Sequence, residues 1–152
     1  MRKWKRIDGA DGPRFRSSLA AHEAALLRNL VTSLTGMLDD RESAAPADEL
    51  SEITGIRTGH SSPPEDETMK RLLPDFFRSR NGHPAGSAAA DSLNSALRSL
   101  HEPAIIDAKR QAAQRLLDTM PDGGGKFELS EDDAQAWASA VNDVRLALGA
   151  ML

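Results

Sequence analysis

RFRSSLAAHEAALLRNLVTSLTGMLDD, residues 14–40, carries two periodicities in succession. In RFRSSL the positions alternate: Phe15, Ser17 and Leu19 fall on one side of an extended chain and Arg14, Arg16 and Ser18 on the other, the two-residue period of a half-buried strand. From about Ala20 the period lengthens. Ala24, Leu27, Val31, Leu34 and Leu38 recur every three or four residues, and Leu26, Leu30 and Met37 add a second apolar stripe, so a helix with a wide core face is expected to about Asp39. A strand running directly into a long helix sets the class of the fold.

Working upstream, KWKRI is a second short run with Trp and Ile, joined to RFRSSL through DGADG, whose Asp-Gly pairs supply the positive φ angles of a tight hairpin loop. Working downstream, PDGGGKFELS repeats the pattern as a Gly-rich turn and a short strand at 127–129. Ser130 and Asp133 follow with the hydroxyl-then-carboxylate spacing of a helix N-cap. Between these lie a short helix in ADELSEIT ended by Gly55, and a helix opened by Pro64 with Met69, Leu72, Leu73, Phe76 and Phe77 on its apolar side and Pro74 kinking or splitting it. DSLNSALRSL reads as a helix with Leu93, Leu97 and Leu100 on one face; Pro103 is expected to interrupt it, with a further helix over 104–119. The expectation is a mainly α protein of about five helices with a small N-terminal β-hairpin, which a short third strand before the last helix could join: α+β in a strict classification.

A length of 152 residues suits one domain, in which roughly two-thirds of the unfolded chain's surface can be buried. We expect residues 1–152 to form a single domain, with the Gly-, Pro-, Ser- and Ala-rich stretch 79–91 as a flexible loop within it. With 39% hydrophobic and 28% charged residues the composition is that of a soluble globular protein, and no apolar run has the length of a membrane span, so a cytoplasmic location is the expectation. Absence of cysteine excludes disulfides, thiolate nucleophiles and thiolate-held zinc within this chain.

Reaction chemistry finds little support. His22, His60, His83 and His101 are too far apart to present two ring nitrogens on one helical face, so no metal site is expected. DGGGKF resembles a phosphate loop only superficially, because Lys126 is followed by Phe127 in a strand and not by Ser or Thr at a helix start. No nucleophile elbow or dinucleotide fingerprint occurs. No catalytic residue and no cofactor is therefore expected.

Charge is unevenly placed. The first sixteen residues hold six Lys or Arg against two Asp, in a chain whose formal net charge is −4. Arg2, Lys3, Lys5, Arg6, Arg14 and Arg16, with Trp4 available for stacking, form a candidate binding surface for an acidic partner. The competing reading is a solvated hairpin whose basic residues protect its edges while Trp4 and Phe15 pack inward. In the last helix Trp137, Val141, Val144, Leu148 and Met151 recur at heptad spacing; this is expected to be core, with a homodimer seam as the second option.

RKWKR (2–6), GPRFRSSLAAHEAALLRNLV (12–31), LLPDFFR (72–78), LRSLHEPAIIDAKRQAAQRLL (97–117) and WASAVNDVRLALGAML (137–152) together resemble an actinobacterial family of unknown function, often encoded beside the ClpS adaptor, that includes AosR-like oxidative-stress regulators. The resemblance spans nearly the whole chain. It implies a non-enzymatic cytoplasmic regulator linked to transcription under oxidative stress, acting through a protein partner such as the transcription machinery. Sensing by cysteine pairing does not carry over to a chain without cysteine. Direct DNA binding, which the overall negative charge and the lack of a basic recognition helix disfavour, and a role in ClpS-linked proteolysis are the alternatives.

Overall fold

A computed structural model describes residues 2–45, 53–55, 58–76 and 88–151. Three strands, β1 (Lys5–Gly9), β2 (Gly12–Leu19) and β3 (Gly125–Ser130), form one antiparallel sheet in the order β1-β2-β3. The described helices are α1 (Ala21–Ser43), α2 (Glu67–Leu72), α3 (Ala88–Thr119) and α4 (Glu131–Met151). The expected α+β class, with the hairpin extended by a third strand before the last helix, is the observed one. Most of the helix expected in ADELSEIT, and residues 79–87 of the expected loop, lie outside the described residues, while Ala88–Asp91 form the first turn of α3.

Two compact units divide the chain: Met1–Gly36 with Lys109–Arg145, and Met37–Ala108 with Leu146–Leu152. The first contains the sheet. Its hairpin register runs from Lys5 opposite Arg16 to Gly9 opposite Gly12, and the turn is closed by Gly12 at φ 111, a left-handed angle that a side chain would make costly. Each of β2 and β3 feeds a helix through a cap. Glu23 Oε1 accepts the Ala20 N–H at 3.0 Å at the start of α1, and Ser130 Oγ accepts the Asp133 N–H at 3.2 Å at the start of α4. Asp133 also takes a hydrogen bond from Arg115 Nε on α3, which outweighs the opposing push of burial and holds its carboxyl below the ordinary carboxylate range, with a lesser contribution from the Ser130 hydroxyl. Gly124, just before β3, lies so close to the β2–α1 junction that a Cβ there would sit 2.6 Å from the Leu19 carbonyl oxygen, at a φ of +85.

Leu19, Val31, Leu34, Leu116, Leu129 and Trp137 are among the buried side chains of this unit. The stripe read from α1 is its core face, but the second stripe is narrower than expected: Leu26 is 60% exposed and Leu30 and Met37 are half-buried. Position on a helix, and not apolar character, decided which leucines went inside.

The second unit corrects three expectations. First, α2 begins at Glu67, not at Pro64, because Asp66 is the N-cap and its carboxylate accepts the Met69 N–H at 3.2 Å; it ends at Leu72, two residues before Pro74. Second, Pro103 does not interrupt α3. A proline inside a helix leaves the carbonyl four residues earlier without its N–H, and here that carbonyl, Ser99, accepts the Gly59 N–H at 2.9 Å instead. The approach needs glycine, since a Cβ on Gly59 would lie 3.0 Å from Pro103 Cδ and 3.1 Å from its Cγ.

Third, the buried face of this part of α3 is not the leucine face. Leu93 is 42% and Leu100 60% exposed, while Arg98 and Glu102 are each 1% exposed. Arg41 Nε and Nη2 donate to the two oxygens of Glu102 at 2.6 and 3.2 Å, and Arg98 Nη1 donates to Glu102 Oε2 at 3.3 Å. Arg98 also donates to the Leu73 carbonyl at 3.1 Å and to Asp75 at 3.3 Å, with its guanidinium 5.6 Å from the Phe76 ring centroid. Arg41 further donates to the Ser62 carbonyl at 2.7 Å, and the Arg41 carbonyl lies 2.6 Å from His60 Nε2. One buried carboxylate thus ties α1, α3 and the 58–75 segment together.

Candidate partner-binding face

Strand alternation sorts the basic residues onto two faces. On the outer face, Lys5, Arg16 and Glu128 line up across the three strands, flanked by Ile7, Arg14 and Ser130 on one side and by Ser18 and Lys126 on the other. An open groove of about 610 Å³ on this face is lined by Arg2, Lys3, Lys5, Arg16 and Lys126, with Glu128 as its acidic residue. Arg2 is fastened at its rim. Its N–H donates to the Ser18 carbonyl at 3.0 Å, and its own carbonyl accepts from the buried Ser17 hydroxyl at 2.8 Å.

The electrostatics of this face are unbalanced. Glu128 is shared by Arg16 at 3.3 Å and Arg14 at 3.8 Å, with about half of each arginine side chain exposed. Exposed pairs of this kind contribute about 0–1 kcal/mol, so both guanidiniums remain able to exchange partners. Lys5 stands directly opposite Arg16, an arrangement that costs stability between strands because the like charges repel. Among the described residues no carboxylate pairs with Arg2, Lys3, Lys5 or Lys126. An anionic group in the groove would relieve this repulsion.

Two of the sequence candidates lie elsewhere. Arg6 points to the opposite face, where it meets Asp8 at 3.6 Å. Trp4 also turns inward, edge-on to Phe127 (centroids 5.4 Å apart) and to Trp137 (5.9 Å), while Phe127 and Trp137 stack at 5.0 Å. Its indole is committed to packing and does not face the groove. Conversely, Lys126 and Glu128 join this face although the sequence alone does not place them beside the basic hairpin. The echo between RFRSSL and KFELS was the available signal, because pairing those strands sets Lys126 beside Ser18 and Glu128 beside Arg16.

The heptad stripe of α4 is split by the structure. Trp137 and Val144 are buried with Ala140 and Ala147, whereas Val141, Leu148 and Met151 are 37%, 39% and 65% exposed. Trp137 Nε1 donates to Thr119 Oγ1 at 2.7 Å, satisfying the indole inside the core. Among the described residues no three His, Asp or Glu side chains gather as a metal site would need. No described helix is long and apolar enough to cross a membrane.

A family model described as a domain of unknown function, DUF2017, matches residues 1–152. The chain belongs to the DUF2017 family. Among similar proteins, one from Mycobacterium tuberculosis and one from Mycobacterium bovis, both named oxidative stress regulator AosR, are 62% identical over 155 residues, covering 100% of this chain and 71% of the relatives. A Mycobacterium leprae relative is 58% identical over the same span. The resemblance to AosR-like regulators read from the sequence is therefore a family membership. No solved structure matches the chain.

Proposed function

We propose that this DUF2017 protein is a non-enzymatic cytoplasmic regulator that works by holding an acidic protein surface in the groove of Arg2, Lys3, Lys5, Arg16 and Lys126. The observation that carries the reading is the row Lys5–Arg16–Glu128, which sets two cations side by side while its one carboxylate is taken by Arg16 and Arg14 and no described carboxylate pairs with Lys5. A face built for solubility alone would interleave its signs. The names of the mycobacterial relatives support a regulatory role in the oxidative stress response, and the transcription machinery is the partner class that such a role suggests. A sheet face with a cationic groove, and no basic helix among the described residues to enter a major groove, favours protein over duplex DNA.

The test places a photo-cross-linking amino acid at Ser18, between the groove's cations, in cells expressing the full chain. The expected product is a covalent adduct with an acidic segment of a protein. That adduct should disappear when Lys5→Glu and Lys126→Glu are combined, with the circular dichroism spectrum unchanged. Adducts to nucleic acid, or protein adducts indifferent to the charge reversal, would overturn the proposal.

A further inference from the structure

β1 is an outermost strand of the sheet, no described strand pairs with its far edge, and that edge has a self-complementary order of charges. The backbone geometry identifies which residues face outward. The Ser18 carbonyl points toward the β1 side, since it accepts the Arg2 N–H at 3.0 Å; by the two-residue period the Arg14 and Arg16 backbones do the same. Their partners Ile7 and Lys5 therefore bond to β2, and the N–H and C=O groups of Arg6 and Asp8 are left at the edge. Pro13 agrees with this phase: it stands opposite Asp8, where no N–H is required of it.

We infer that β1 pairs antiparallel with β1 of a second copy of this chain, about a two-fold axis at Ile7, giving a continuous sheet of six strands. A symmetric antiparallel pair must be centred on a residue, which leaves few registers. Centring on Lys5, Arg6 or Asp8 sets that charge against its own copy, which is destabilising. Centring on Ile7 sets Arg6 opposite Asp8 twice, Lys5 opposite Gly9, and Ile7 opposite Ile7, with no like charges facing. The same register puts Arg6 and Asp8, whose backbones point outward, into the closely hydrogen-bonded pairs. Both side chains are well exposed, at 66% and 87%, and so are available to a partner.

The inner face beside this edge supplies apolar area. A groove of about 200 Å³ is lined by Trp4, Phe15, Ala134, Trp137, Ala138 and Val141, almost wholly apolar, and Phe15 is the register partner of Arg6 on β1. Joining two edges sets two such grooves side by side beneath one sheet. The interface uses the edge and the inner face, leaving the outer cationic groove open, so it goes beyond the partner reading and stands or falls separately from it.

Sedimentation velocity of the full chain across a wide concentration range should show a species of twice 16.4 kDa. Arg6→Asp alone and Asp8→Arg alone should each dissociate it by setting like charges opposite each other, and the double exchange Arg6→Asp with Asp8→Arg should restore it. The chain has no cysteine, so Ile7→Cys provides a clean second measurement. Its Cα atoms would lie about 4.5 Å apart across the axis, within disulfide reach, and mild oxidation should yield a covalent dimer that Lys5→Cys does not give. A monomer at every concentration, a double exchange that fails to restore the dimer, or an edge occupied by a segment of another protein would each overturn the inference.

Discussion

Glu102→Gln removes the charge that Arg41 and Arg98 share while keeping the volume of the side chain. Both Arg98 and Glu102 are 1% exposed, and the Arg41 side chain is 12% exposed, so water cannot replace the lost anion. Breaking a buried ion pair from one side costs about 3–5 kcal/mol. The lower end applies, because Arg98 keeps Asp75 and the Leu73 carbonyl, Arg41 keeps the Ser62 carbonyl, and the amide oxygen still accepts. At roughly 2–4 °C per kcal/mol for a chain of this size, a loss of about 3 kcal/mol lowers Tm by about 6–12 °C, read by calorimetry at neutral pH. Asp75→Asn is the internal comparison. Its side chain is 58% exposed, so its bond to Arg98 is worth about 1 kcal/mol at most. Replacing all three groups by Arg41→Met, Arg98→Met and Glu102→Leu should recover part of the loss, since an apolar triad needs no counter-ion, although the Leu73 and Ser62 carbonyls lose their arginine donors. A Tm for Glu102→Gln within measurement error of the parent, or a larger effect from Asp75→Asn, would show the reasoning to be wrong.

Gly59→Ala should cost about 1–3 kcal/mol through overpacking against Pro103, and hydrogen exchange should show the residue 59 amide losing protection. Trp137→Ala should cost about 3–5 kcal/mol in denaturant unfolding, as expected for a core indole that is 3% exposed. Asp133 titrates below its ordinary value because Arg115 bonds to its ionised form, so the unfolded chain binds its proton first as pH falls. This contribution is fully present above about pH 4 and is lost as pH drops through the lowered folded value; Asp133→Asn should therefore flatten the acid limb of a stability-against-pH curve, measured by urea titration. Gly124→Ala should destabilise the β2–α1 junction, and a thermal midpoint equal to the parent's would contradict the close approach to Leu19.

What could be read from the sequence was local. RFRSSL passing into AAHEAALL gave strand and helix by period alone, and Ser130 followed by Asp133 marked the start of the last helix. What could not be read depended on residues distant in the chain. Pro103 stays inside a continuous helix because Gly59, forty-four positions earlier, takes over the Ser99 carbonyl, and nothing near Pro103 signals that. Leu93 and Leu100 had the expected spacing of a core face, yet the inward positions went to Arg98 and Glu102, because Arg41 arrives to complete their hydrogen bonds. The charged face was half legible: its N-terminal lysines and arginines stand together in sequence, but Lys126 and Glu128 join them only through the pairing of β2 with β3.

The chain has two tryptophans, and they sit with ring centroids 5.9 Å apart, tilted 75° to one another. Indoles at that separation share excitation, so near-ultraviolet dichroism and emission carry a joint signal that neither chromophore has alone. Because Trp4 immediately precedes the edge strand and Trp137 is fixed in the core, any event that pulls the N-terminal segment away uncouples them. The protein thereby contains its own optical ruler for what happens at that edge, with no label to attach.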